Sequence, residues 1–301
     1  MPSDKMKYTG MTLLAFAVFV TYVVLASLGV YTGDLHAETE KEMLEKYDLL
    51  MFPVYKTQSA LAVLTFVADL LWLAYALSCI CRHGEGTGIF NWKFFAAYIV
   101  NLAFTIGLGF AWWRDQLMAA FIVYIFKIIF LVLTFFFHSY DIAEFIRVVG
   151  KKEENKCDVW CHRFIVQNAV LFVLAAATYG FIGAVSIFLH YELGASDFSV
   201  SLGMLIFLGI ATLVWFAIET FAIRRFTEYT FSAYLVTIFY MSGTVAKVWD
   251  QDKTVGGFSV FFLAATCVIF IIRVFILAYR SSKRGSYENI TYTVRTETVN
   301  A

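Results

Sequence analysis

The chain has 301 residues, 60% of them hydrophobic and only 15% charged, against roughly 45–50% apolar and about 25% charged residues in a soluble domain. Its 23 basic and 23 acidic residues cancel, so there is no single-sign field of the kind that attracts nucleic acid. The apolar runs are continuous rather than alternating, which argues against a β-barrel and for an all-α integral membrane protein whose helices satisfy their own backbone polar groups.

About 20 apolar residues cross a bilayer, and eight stretches qualify, at approximately 10–32, 57–81, 94–113, 117–138, 164–190, 199–223, 229–247 and 256–279. The first follows Lys5 and Lys7 and is long enough to remain as a signal anchor. Met1-Pro2 lacks the glycine that myristoylation needs. The next connection carries Asp34, Glu38, Glu40, Glu42, Glu45 and Asp48 against Lys41 and Lys46. It reads as a short acidic surface helix, either a solvated loop or a contact for a cation or partner.

The second span holds Asp69 and ends at Cys79, Cys81 and Arg82, a juxtamembrane setting that suits palmitoylation of the two thiols. Gly84-Glu85-Gly86-Thr87-Gly88 follows, without the strand and lysine of a phosphate loop. The fourth span holds Lys127 and continues past His138 as an amphipathic extension. Ile142, Phe145, Ile146 and Val149 lie on one side of it, and Asp141, Glu144, Arg147 and Lys151 on the other. Cys157, Cys161 and His162 then form a C-x₃-C-H cluster that His83 would join on a zinc ion if the two loops met. No second ligand pair is recognisable, so no metal site is assigned. The sixth span contains Glu219 and the last Arg273, which cannot form a Schiff base.

Basic residues set the orientation, because short cytosolic loops carry the excess. With the N-terminus inside, the cytosolic segments hold Lys5 and Lys7, then Arg82 and Lys93, then Arg147, Lys151, Lys152, Lys156 and Arg163, then Arg224 and Arg225, and finally Arg280, Lys283 and Arg284. Far fewer lie in the outer connections. Both termini are therefore expected in the cytosol.

An internal repeat is visible at an offset of 136. Phe95-Ala96-Ala97-Tyr98-Ile99-Val100 matches Phe231-Ser232-Ala233-Tyr234-Leu235-Val236, Gly107 meets Gly243 and Trp113 meets Trp249. The ionisable residues inside the spans extend it. Each costs at least about 2.5–3.5 kcal/mol at bilayer depth and is rarely idle. Asp69 lies 13 residues before Arg82 and Lys127 lies 14 before Asp141, while Glu219 lies 5 before Arg224 and Arg273 lies 7 before Arg280. Each half thus offers one acid and one base at matched depth on its second and fourth helices, which predicts the ion pairs Asp69–Lys127 and Glu219–Arg273. The fold expected is eight transmembrane helices as two four-helix bundles in parallel repeat. Residues 1–150 form the first repeat with its cytosolic extension, 151–280 the second, and 281–301 a disordered cytosolic tail.

Over residues 8–280 this arrangement resembles the MARVEL-type tetraspan proteins, and in particular the eight-pass, double-MARVEL type of the myeloid-associated differentiation marker family. The resemblance rests on four-span units, cytosolic ends, short loops and an aromatic-rich third span closing on Trp112-Trp113. It implies a non-enzymatic role in membrane organisation or trafficking, as a scaffold or accessory subunit that associates laterally with membrane lipids and other integral membrane proteins, in the plasma membrane or endosomal system. The residues themselves show no catalytic set and call for no cofactor. Tyr287-Glu288-Asn289-Ile290 in the tail matches a Y-x-x-Φ sorting signal, with Tyr287 and Ile290 as its anchors. The alternative is an ion or small-solute transporter or channel at the interface between the two repeats, with Asp69 or Glu219 as its ion site.

Overall fold

The computed structural model describes the backbone of residues 2–27, 46–81, 89–149, 156–224, 226, 227 and 229–299. The acidic segment 34–45, His83 and Arg82 lie outside the described residues. Among the described residues the protein is helical without strands. The helices are α1 (Pro2–Ser27), α2 (Tyr55–Cys81), α3 (Trp92–Trp113), α4 (Leu117–Val149), α5 (Asn168–Ile187), α6 (Asp197–Ala217), α7 (Ser232–Val248) and α8 (Lys253–Val299). A short helix, Lys156–Cys161, leads into α5, and π-helical turns widen the chain at His162–Gln167, Phe188–Glu192 and Ile218–Ala222. The backbone of α8 runs on past Arg280 to Val299.

Among the described residues, seven helices are long and apolar enough to cross a membrane. The exception is α7. Its 17 residues span about 25 Å at 1.5 Å per residue, short of a hydrocarbon core of about 30 Å. It starts later than the apolar run suggested because Thr230 and Phe231 are drawn into polar contacts, the Thr230 amide with the Thr227 carbonyl and the Phe231 amide with Asn168.

Helix boundaries follow local chemistry. Asn91 caps α3 by accepting from the Lys93 amide, and Ser196 caps α6 by accepting from the Ser199 amide at 3.2 Å. At the end of α3, Asp115 takes a left-handed conformation with φ of 52°. The Asp115 amide donates to the Trp112 carbonyl and the Gln116 amide to that of Ala111, the paired bonds of a Schellman turn.

The packing does not give two separate bundles. α5 lies at the centre, against α2, α4 and α7, while α2 and α4 make no extended contact with each other. Val170, Leu171, Val173 and Leu174 of α5 belong to the first core, with Trp72, Phe94, Phe95 and Leu131. Tyr179, Ile182 and Ile187 belong to the second, with Leu205, Leu208, Val236 and Met241. Gly180 allows α5 this close, for a β-carbon there would sit 2.6 Å from the Tyr124 hydroxyl of α4. The halves are interlocked through one helix.

A second link is the segment Lys46–Val54, which enters the end of the second core. Leu49 and Met51 are buried. The Leu50 amide donates to Asp197 at 3.1 Å, and the Met51 amide to Ser201 at 3.1 Å. Thr244 donates to the Met51 carbonyl at 3.1 Å, and Lys247 pairs with Asp48. Lys46 and Tyr47 tie the same segment to Asp115, at 2.5 Å and 2.8 Å.

Candidate functional site

Two buried ionic centres stand out, one in each half. In the second, the π turn Ile218–Ala222 widens the end of α6 and carries Glu219 into the interior. Arg273 of α8 places Nη2 3.2 Å from Glu219 Oε1, and both side chains are fully buried. Thr230 donates to the same oxygen, and Tyr234 of α7 donates to Oε2 at 2.5 Å. Arg273 also donates from Nη2 to the Thr227 carbonyl at 2.5 Å and from Nε to that of Thr230 at 3.4 Å. Every carboxylate oxygen is engaged, as a buried ion pair requires if its geometry is to offset desolvation.

In the first half, Asp69 of α2 is buried. It accepts from Trp72 Nε1 at 3.1 Å, one turn along its own helix. The Trp72 ring packs on Tyr98 of α3 with centroids 4.5 Å apart and on Phe94 at 5.1 Å. Lys127 of α4 acts on Asp69 electrostatically, but no ion pair closes between them, which corrects the expected pairing. The physical cause is the position of α5. It packs on both α2 and α4, which make no extended contact with each other, whereas α6 and α8 pack directly.

The sequence match at an offset of 136 touches both centres. Tyr98 and Tyr234, equivalent at the offset of 136, both face the acid of the preceding helix. Tyr234 closes its hydrogen bond to Glu219. Tyr98 likewise interacts with the Asp69 carboxylate.

Sequence reasoning missed a third polar assembly. Gln167 donates to Ser139 of α4 at 2.9 Å and to the Phe226 carbonyl at 2.5 Å. Asn168 accepts from the Phe231 and Ser232 amides at 3.0 and 3.3 Å and donates to the Tyr229 carbonyl at 3.0 Å. It therefore caps α7 from another helix. The available signal was the adjacent pair of amide side chains in an apolar run.

Other expected sites disperse. Cys79 is buried and Cys81 exposed, so of the two only Cys81 presents a thiol to an acyl donor. His162 is buried against Phe90 at 4.5 Å and Tyr75 at 5.1 Å, whereas Cys157 is exposed. No metal-holding group of three His, Cys, Asp or Glu occurs among the described residues. Tyr287 and Ile290 lie on the backbone of α8, beyond the side chains that are described.

At the Lys46–Val54 end, the hydrogen bond from Lys46, aided by that from Tyr47, holds the Asp115 carboxyl below its ordinary range. Burial, then the bond to Asp115, pushes the Tyr47 phenol up to about 12. No family model, curated protein or solved structure matches the chain.

Proposed function

We propose that the chain is a non-enzymatic, eight-pass membrane protein of MARVEL-like type. It acts as a scaffold or accessory subunit that associates laterally with lipid and with other integral membrane proteins, in the plasma membrane or endosomal system. One observation carries this reading: the large apolar side chains of α6 and α8 that point outward. Phe221 is 80% exposed, Phe261 72% and Phe275 70%, and Phe207, Ile210 and Leu213 lie among them. Such surface demands an apolar surrounding. Behind it both Glu219 oxygens are engaged, by Arg273, Thr230 and Tyr234, which supports the scaffold reading over an exchangeable ion site at Glu219.

Two experiments test the reading. Purification in mild detergent, comparing the native chain with a Phe221→Ala/Phe261→Ala/Phe275→Ala variant, should show a co-migrating membrane protein that the variant loses while its surface level is kept. Migration of the native chain alone would overturn the association. The eighth crossing rests on α7, and Asn289-Ile290-Thr291 reports on it. With α7 in the membrane both ends share the cytosol and Asn289 stays unmodified; glycosylation there would leave seven crossings and overturn the two-repeat topology.

A further inference from the structure

Between the end of α3 and the start of α4 the chain reverses within three residues, so the two helices run antiparallel and adjacent. They do not fill the space between them. A cleft of about 300 Å³ is bounded by Gly107, Ala111 and Arg114 on one side and by Gln116, Ala119 and Val123 on the other. Residues 107, 111 and 114 share one face of a helix, and 116, 119 and 123 share one face of the next. The gap follows from the small residues at 107, 111 and 119. Gly107 shows the opening independently, since a β-carbon built there meets nothing within 4 Å. One turn further in, Phe104 stacks on Phe126 at 5.4 Å and on Phe130 at 5.7 Å, which closes the inner end.

The result is a slot with an aromatic floor, apolar walls and a polar mouth. From Gly107 to Arg114 it is about 10 Å deep at 1.5 Å per residue, within the reach of one leaflet of a hydrocarbon core about 30 Å thick. Phe110 at its edge and Ile122 and Phe126 beside it are exposed, so it opens sideways onto apolar surroundings rather than into the core. At the mouth Arg114 and Gln116 are exposed. The neighbouring charges of Lys46 and Asp115 neutralise each other at 2.5 Å, so among the described residues the Arg114 guanidinium gives the mouth its positive sign.

We propose that this slot binds one anionic phospholipid, with an acyl chain between Gly107 and Ala119 and the phosphodiester on Arg114 and Gln116. Each part of the slot matches one part of such a lipid. A guanidinium meets phosphate oxygens through two parallel N–H···O bonds, and the Gln116 amide adds a neutral donor. A saturated chain fills walls of glycine, alanine and valine without burying a polar group. The volume stands at the lower end of the about 300–1,000 Å³ of small-ligand clefts, which suits a single chain rather than a whole lipid. A zwitterionic headgroup brings its own cation to the mouth, where Arg114 repels it, and an anionic headgroup does not. The inference rests on the membrane embedding proposed above. The slot lies on α3 and α4 rather than on the α6 and α8 faces, so it and the partner association can fail separately.

The test is native mass spectrometry of the full chain in detergent micelles, titrated with phosphatidylglycerol, with phosphatidylcholine of the same acyl chains, or with glycerophosphate, which carries the anion without a chain. One phosphatidylglycerol per protein should be retained at a concentration about tenfold below that needed for phosphatidylcholine. Arg114→Gln should abolish this preference and leave phosphatidylcholine retention as it was. Gly107→Leu fills the slot without touching the charge and should weaken retention of both lipids. Glycerophosphate should displace neither. If Gly107→Leu fails to fold, Arg114→Gln, an exposed position, decides alone. Equal retention of the two lipids by the native chain, a preference that survives Arg114→Gln, retention indifferent to Gly107→Leu, or displacement by glycerophosphate would each overturn the proposal.

Discussion

The two halves carry the same components and assemble them differently. Each places an acid on its second helix, a tyrosine on its third and a base on its fourth. In the second half the three close into a network around Glu219, with Arg273 at 3.2 Å and Tyr234 at 2.5 Å. In the first, Asp69 bonds to Trp72 on its own helix, and Lys127 stays outside ion-pair distance. The distinction arises one level above the sequence. α6 and α8 are neighbours, whereas α5 packs on α2 and α4, which make no extended contact with each other. Two like sets of ionisable residues thus become a closed ion-pair network in one half and an acid bonded within its own helix in the other.

The sharpest way to break this comparison is to remove the base from each half. Arg273→Met leaves Glu219 buried without its counter-charge and should cost about 3–5 kcal/mol, read as a drop in detergent melting temperature or failure to reach the surface. Adding Glu219→Gln should recover most of that loss. Lys127→Met should cost less than half as much, because no pair is broken; an equal loss would show that the first half closes its pair after all.

The repeated glycines offer a second contrast. A β-carbon at Gly243 would lie 2.5–2.7 Å from three atoms of Thr57 on α2, while one at Gly107 meets nothing within 4 Å. Gly243→Ala should therefore destabilise by about 1–3 kcal/mol through overpacking. Gly107→Ala should be neutral, or stabilising by up to about 1 kcal/mol through helix propensity. Thermal unfolding of the two variants side by side checks both signs.

The smallest effect concerns the Lys46–Val54 segment that bridges the halves. Tyr47, with its pKa raised to about 12, supports docking fully below its unfolded value of about 10 and loses that support as pH rises through about 12. Asp115, with its pKa lowered, supports docking above its unfolded value of about 4 and loses that support as pH falls through its lowered value. Hydrogen-exchange protection of the Leu50 and Met51 amides, corrected for intrinsic rates, should be flat between these limits and fall outside them. In Asp115→Asn the acidic limb should disappear, with a loss at neutral pH of under about 1 kcal/mol, as befits an exposed pair.

Much of the candidate chemistry was legible before the fold. Asp69, Lys127, Glu219 and Arg273 stand out because charge inside an apolar run is costly, and counting to the helix ends placed them by depth. Counting along a helix yields depth but not neighbours, so of the two pairs expected Glu219–Arg273 closes and Asp69–Lys127 does not. The Asn168 cap, the π turn that aims Glu219 and the docking of Met51 had weaker signals, because each joins segments far apart in the chain.

By itself the sequence determined that the chain forms long apolar helices fit to cross a membrane, where most of them run and which residues carry charge within them. Those properties are local: about 20 apolar residues make a spanning helix whatever surrounds it. Tertiary structure alone decided that α5 would join the halves, that α7 would begin late and fall short, and that Glu219 would close an ion pair while Asp69 would not. These are matters of which side faces meet, and apolar faces that look alike in sequence do not specify their partners until they pack.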